Sequence, residues 1–128
     1  MGSGLFDEYP KLHIILGHLG EGLPFNMWRV DHRLSKLRRG EALGDNPRAQ
    51  RPLIHYLREN FFVTTSGNFR TPALANAIAE IGVDRVLYSV DYPFEDMVEA
   101  AEWFDDAPLG DVDRQKIARL NARTLLRL

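Results

Sequence analysis

The fold is decided by the stretch Ile14-Ile15-Leu16-Gly17-His18-Leu19-Gly20-Glu21-Gly22-Leu23-Pro24. Its apolar start does not alternate with polar residues, which predicts a strand over 13–16 that is buried on both faces, as in a parallel sheet. Gly17 allows a close turn at the end of this strand. His18 follows the turn, and Glu21 comes three residues later between two glycines. The stretch therefore predicts a buried strand that delivers an imidazole and a carboxylate to one edge of a sheet.

Two further strands are predicted, and helices follow each of them. Residues 61–65 and 85–90 are rich in apolar, β-branched and aromatic side chains, which favour strands. Helices are predicted after Pro24, over 52–59, from Thr71, over 95–104 and from about residue 111. Thr71 and Pro72 fit the N-cap and the first helical position. The inward stripe of the first long helix would consist of Met27, Val30, Leu34 and Leu37.

This alternation gives the order β-α-α-β-α-β-α-α, which is typical of an α/β fold with parallel strands, flanking helices and right-handed crossovers. The first four residues, Met1-Gly2-Ser3-Gly4, are polar and resemble a cloning scar, so the folded domain is expected over 5–128. A chain of 128 residues is one modest domain or a piece of a larger one.

The composition indicates a globular protein, with 45% hydrophobic and 27% charged residues. The formal net charge of −2 gives no bias toward nucleic acid or membranes, and no apolar run approaches the ~20 residues of a membrane span. The chain has no cysteine, which excludes disulfides and thiolate catalysis and fits a reducing cytoplasm. We therefore expect a cytoplasmic protein that binds neither nucleic acid nor a membrane.

Each predicted strand is followed by polar side chains. His18 and Glu21 follow the first, Ser66 and Asn68 the second, and Asp91 ends the third. In parallel α/β folds, ligands bind at the carboxyl ends of the strands. An imidazole there can transfer a proton near neutral pH, and a carboxylate can bind a divalent metal or orient the imidazole. The sequence thus predicts a site for metal-assisted chemistry at this edge.

The residues taken singly leave structural alternatives open. His18 is also explained as a hydrogen-bonded histidine at a strand end, and Glu21 as a first-turn acid that favours the helix dipole. Asp91 is also explained as a turn-forming aspartate. Arg29 is either a solvated helix residue or a bidentate clamp for a substrate carboxylate.

Longer blocks of the sequence resemble a known family. The blocks are Gly17-His18-Leu19-Gly20-Glu21-Gly22-Leu23-Pro24, Trp28-Arg29-Val30-Asp31-His32-Arg33, Thr64-Thr65-Ser66-Gly67, Ser89-Val90-Asp91-Tyr92-Pro93 and Asn121-Ala122. In this order they closely resemble the amidohydrolase-related, aminocarboxymuconate-semialdehyde decarboxylase-like enzymes. The nearest members act on hydroxylated benzoates such as γ-resorcylate. The resemblance implies a metal-dependent (β/α)8 barrel, typically oligomeric, that removes carbon dioxide from an aromatic acid without an organic cofactor.

The resemblance also implies a role for four residues. His18 would be the catalytic histidine, and Glu21 the acid that supports it or the substrate. Asp91 would be both a catalytic residue and a ligand of a divalent metal, zinc or manganese. Arg29 would bind the substrate carboxylate. The implied reaction protonates the ring carbon that carries the carboxylate and then releases carbon dioxide.

The chain departs from the family in its metal ligands. It contains neither the Glu-x-His pair of the family's first strand nor the metal-binding histidine of a middle strand. A complete barrel takes about 250 residues, so the chain resembles about its last three βα units. The partner would be the missing N-terminal half or further copies of the chain. Two alternatives to an incomplete decarboxylase are an amidohydrolase-type hydrolase and a non-catalytic half-barrel that assembles through its open sheet edges.

Overall fold

Three short strands form one parallel sheet in the computed structural model, which describes residues 1–128. The strands are β1 (Ile14–Leu16), β2 (Phe61–Thr64) and β3 (Val86–Leu87), and β2 lies between the other two. In the register, Ile15 pairs with Phe62 and Val63 pairs with Val86. The prediction of an α/β fold with parallel strands is confirmed.

The chain also forms seven α-helices: α1 (Leu5–Glu8), α2 (Leu23–Arg38), α3 (Leu53–Asn60), α4 (Thr71–Ile81), α5 (Met97–Asp106), α6 (Asp111–Gln115) and α7 (Asn121–Leu126). A π-helical turn over Lys116–Leu120 joins α6 to α7, and a 3-10 turn over His18–Gly20 follows β1. None of the helices combines the length and the apolar character that crossing a membrane requires.

The core lies on the side of the sheet that the helices cover. Its members share near-complete burial and come from β2, β3 and five helical segments: Met27, Leu57, Phe61, Val63, Leu74, Val86, Phe104 and Ile117. The opposite side is less evenly covered. Phe62 packs there against the ring of His13 and the guanidinium of Arg85, whereas Ile15 on the edge strand β1 keeps 47% of its surface exposed.

The third strand is shorter than the predicted 85–90. Thr65 N donates to Leu87 O at 3.0 Å, but the next amide, Tyr88 N, donates to Ile117 O at 2.9 Å in the π-helical turn. Ser89 N then donates to the Thr65 hydroxyl at 2.9 Å. The β2–β3 hydrogen-bond ladder ends at Leu87 because the next two amides, of Tyr88 and Ser89, donate to Ile117 O and to the Thr65 hydroxyl instead. The strand pattern in the sequence does not contain these distant acceptors.

Two predictions about helices are wrong in detail. Thr71 is the first residue of α4 rather than its cap, and its hydroxyl accepts from Trp103 Nε1 at 3.3 Å. Val30, assigned to the inner stripe of α2, is 38% exposed, while Met27 on the same helix is fully buried. The spacing of apolar residues in α2 therefore predicts a wider buried face than the helix has.

The first four residues pack against the fold. Gly2 O accepts from Arg48 N at 2.9 Å and from Ala49 N at 3.1 Å, and Met1 contacts the core. The division of the chain at residue 4 stays a prediction.

Asn121 gives a test of the packing between the C-terminal helices and the sheet. Its buried Nδ2 donates to Val83 O and to Val86 O, each at 2.8 Å. Asn121→Ala leaves these carbonyls without that donor, so we expect a loss of about 2 kcal/mol in the free energy of unfolding, measured by urea denaturation. The control is Asn26→Ala, which removes an exposed bond to Gly22 O and should change stability by less than about 0.5 kcal/mol. Equal losses would contradict the expectation.

Candidate active site

The imidazole of His18 lies between two carboxylates. Its Nδ1 is 2.6 Å from Glu21 Oε1, and its Nε2 is 3.4 Å from Asp91 Oδ2. The glutamate follows in the same loop, whereas the aspartate comes 73 residues later in the loop after β3. The structure thus brings together three of the four residues singled out in the sequence, at the carboxyl ends of β1 and β3.

The turn after β2 holds both loops in place. His18 N donates to Ser66 O at 3.1 Å, and Asn68 Nδ2 donates to His18 O at 3.3 Å. On the other side, the Thr65 hydroxyl donates to Ser89 O at 2.7 Å and accepts from Ser89 N. Because β2 is the central strand, its turn fixes the position of the histidine loop relative to the aspartate loop.

The loop residues that carry the site have left-handed backbone conformations. The φ angles are 53° at His18, 55° at Leu19, 55° at Glu21 and 71° at Asp91. Such conformations cost on the order of 1–3 kcal/mol each outside glycine and persist only where surrounding contacts impose them. Strain of this kind concentrates at functional sites. Three of these four residues, His18, Glu21 and Asp91, are candidate site residues from the sequence.

The two carboxylates favour the charged form of His18. The hydrogen bond that His18 donates to Glu21 is the larger cause that raises the pKa of His18, the bond that it donates to Asp91 is the second, and burial opposes both. The side chain of His18 is 44% exposed, so it remains open to a ligand. An imidazole that holds its proton to a higher pH than free histidine is suited to act as a general acid near neutral pH.

The pKa of His18 can be tested through Glu21. In Glu21→Gln the larger cause is gone, so the pKa of His18 should fall toward its ordinary value of about 6.5. Any contribution of the His18–Glu21 pair to the free energy of unfolding is fully present below the ordinary pKa of histidine. It is lost as the pH rises through the raised pKa of His18 in the folded state. The measurement is the ring titration of His18 by NMR, with Glu41→Gln as the control because Glu41 pairs with Arg39 instead. An unchanged titration in Glu21→Gln would contradict this cause.

No hydrogen bond or ion pair joins Arg29 to the other three residues. It lies on an exposed face of α2, and no hydrogen bond or ion pair joins it to another side chain. It lies six positions after Leu23, the first residue of α2, which is roughly 9 Å of helical rise. Its role as a carboxylate clamp stays a prediction.

The chain does not assemble a metal site from its own side chains. No group of three or more His, Cys, Asp or Glu residues is arranged to hold an ion. Both ring nitrogens of His18 face carboxylates, and the other histidines contact aromatic rings: His13 against Phe62, His32 against Trp28 and His55 against Tyr56. Asp91 is the one predicted ligand at the rim. The residues of this chain alone therefore do not fit a complete metal site.

The parallel sheet and the imidazole at the carboxyl ends of its strands define a class of protein: an α/β protein with a histidine–carboxylate cluster at the edge where such folds bind their ligands. Comparison with known proteins identifies the family. The chain matches the amidohydrolase family over residues 1–128 and belongs to it.

Relatives and solved structures share this stretch closely. The γ-resorcylate decarboxylase of Polaromonas sp. strain JS666 is 52% identical over 128 residues, which are 100% of this chain and 38% of that enzyme. A crystal structure of 2,6-dihydroxybenzoate decarboxylase complexed with 2,6-dihydroxybenzoate superimposes with a TM-score of 0.90 at 52% identity, and the match covers 100% of this chain and 38% of that one. A Polaromonas dihydroxybenzoic acid decarboxylase with bound manganese and 2-nitroresorcinol gives a TM-score of 0.90 at 51% identity, over 99% and 37%. The chain thus spans well under half the length of the relatives it matches.

Proposed function

We propose that this chain takes part in the non-oxidative decarboxylation of a hydroxylated aromatic acid, as about the last three βα units of a (β/α)8 barrel. The observation that carries the proposal is the imidazole of His18 held between Glu21 and Asp91 at the carboxyl ends of the strands. The 52% identity to γ-resorcylate decarboxylases along the whole chain supports the same reaction.

His18 is the proton donor in this proposal. Its Nδ1 is bound tightly by Glu21 at 2.6 Å, while the contact of Nε2 with Asp91 is long, at 3.4 Å. The proton on Nε2 is therefore the one that is less tightly held and available to a substrate. The proton goes to the ring carbon that carries the carboxylate. The bond to the carboxylate then breaks, carbon dioxide leaves, and the bonding electrons restore the aromatic ring.

Glu21 and Asp91 support this transfer in different ways. Glu21 fixes the ring orientation and stabilises the imidazolium that must be present before each turnover. Asp91 lies beside Nε2 and also offers one carboxylate to a divalent ion, manganese or zinc. The other ligands of such an ion would come from outside this chain, either from a further segment of polypeptide or from a second copy. Arg29 would bind the substrate carboxylate in that assembly.

A chimera tests the proposal. In it, this chain replaces the matching 38% of the Polaromonas enzyme. We expect the chimera to release carbon dioxide from 2,6-dihydroxybenzoate and, in heavy water, to place one deuteron on the carbon that carried the carboxylate. The proposal would be contradicted if a folded, metal-loaded chimera released no carbon dioxide from any member of a hydroxybenzoate panel. The chain alone is expected to show no turnover.

A second candidate is a non-catalytic assembly unit. It is favoured by the incomplete metal set and by the exposed edge strand, where Ile15 keeps 47% of its surface accessible. Open strand edges promote pairing between copies. Two measurements together separate the candidates: the activity of the chimera and the sedimentation of the purified chain. An inactive chimera together with a stable oligomer of the chain would support the assembly unit.

A further inference from the structure

Gly67 lies where the histidine loop and the aspartate loop meet. It occupies the turn after β2 with a φ of +62°. A Cβ built on Gly67 would stand 2.7 Å from His18 Cδ2, 3.1 Å from His18 Nε2 and 3.0 Å from Asp91 Oδ2. The first of these distances is shorter than carbon atoms tolerate without movement. A side chain at position 67 would therefore meet both members of the His18–Asp91 pair.

We propose that Gly67 is a positioning residue for the His18–Asp91 pair: its missing side chain is the space that lets Nε2 approach the Asp91 carboxylate. This inference rests on the proposed function, in which Nε2 carries the transferred proton. The contact with Gly67 involves the Cδ2–Nε2 edge of the ring, and the opposite nitrogen, Nδ1, faces Glu21. A side chain at position 67 would thus act on the catalytic edge of the ring and leave the supporting bond in place.

The turn that carries Gly67 cannot easily retreat to make room. Asn68 N donates to Thr65 O at 3.0 Å within the turn, and Ser66 O accepts from His18 N. The Thr65 hydroxyl exchanges two hydrogen bonds with the backbone of Ser89. Because the backbone on both sides is held, an added methyl group must displace the His18 ring or the Asp91 carboxylate rather than the turn.

Gly40 is a matched control for the backbone cost. Its φ of +71° is close to that of Gly67, and a Cβ built on it meets no atom within 4 Å. Alanine at either position enters the same unfavourable region of φ. Only alanine at position 67 also reaches the His18–Asp91 pair, so the difference between Gly67→Ala and Gly40→Ala isolates the effect on the site.

The first measurement is made on the unchanged 128-residue chain at fixed pH. We expect a strong NOE between His18 Hδ2 and a Gly67 Hα. In Gly67→Ala the His18 ring correlation should move while the amide signals around Asn121 stay in place, and in Gly40→Ala the ring correlation should not move. In the chimera, Gly67→Ala should lower kcat by about 10²-fold with little change in KM, as a displacement of order 1 Å does.

The proposal is overturned if the NOE is absent from the unchanged chain, a result that stands even if Gly67→Ala does not fold. It is also overturned if Gly67→Ala leaves the His18 ring signal in place or if Gly40→Ala moves it equally. An inactive chimera in which the NOE and the variant shifts are as expected would remove the proposed function alone, because the positioning of His18 is measured without turnover.

Discussion

His18→Asn is expected to lower the decarboxylation rate of the chimera by about 10⁴-fold, the upper end of what general acid catalysis contributes. Asparagine is close in size to histidine and can still donate a hydrogen bond to Glu21, which lies 2.6 Å from Nδ1 in the unchanged chain. It has no titrating nitrogen, so it cannot deliver a proton to the substrate ring near neutral pH. The metal content of the chimera should stay nearly unchanged, because His18 is not among the proposed ligands.

The measurement is carbon dioxide release together with metal content per chain by elemental mass spectrometry. His55→Asn is the control, since His55 is exposed on α3 and packs edge-to-face against Tyr56 instead of contacting Glu21 or Asp91. That variant should keep both turnover and metal. Intact turnover in His18→Asn would show that another group delivers the proton.

The location of the site was predictable because parallel strands bring their carboxyl ends to one edge. His18 and Asp91 are 73 residues apart, yet each comes just after a strand predicted from the sequence, over 13–16 and over 85–90, and that position alone predicts their proximity. The structure confirms that they meet, with Glu21 on the other side of the ring. Arg29 follows no strand, and its position relative to the others had no comparable basis.

The geometry of the site was not predictable from the sequence. The glycines at positions 17, 20 and 22 suggest that the unusual backbone of this loop lies at glycine, yet His18, Leu19 and Glu21 themselves have positive φ angles. The turn after β2 holds the backbone of His18 through Ser66 O and Asn68 Nδ2, and such contacts depend on the assembled sheet. The same holds for Gly67, which reads as an ordinary turn glycine in the sequence and contacts the site only in the fold.

The ends of helices and strands followed tertiary hydrogen bonds more than local pattern. The strand β3 stops at Leu87 because Ile117 and Thr65 provide acceptors for the next two amides. Threonine is a preferred N-cap residue, but the hydroxyl of Thr71 accepts from the indole of Trp103 instead. In both cases a partner distant in sequence competes with the local signal, and no window of neighbouring residues contains that partner.

Asp91→Ala is expected to remove both turnover and metal from the chimera, which separates it from His18→Asn. The carboxylate of Asp91 is the one predicted metal ligand in the chain and lies 3.4 Å from His18 Nε2, the proposed proton donor. Substitution of groups that only support a metal ligand lowers metal affinity by about 10–100-fold, so loss of the ligand itself should exceed about 10²-fold. The same change removes the second cause that raises the pKa of His18.

The companion variant Asp91→Asn separates charge from backbone conformation. Asparagine tolerates the left-handed region that Asp91 occupies with a φ of 71°, so the loop should keep its shape while the negative charge is lost. We expect Asp91→Asn to lose metal and turnover as well, whereas Asp106→Asn, at the exposed end of α5, should lose neither. Metal content is measured on protein purified without chelators. Full metal content in both Asp91 variants would remove Asp91 from the metal site and leave it only the role of a partner for His18.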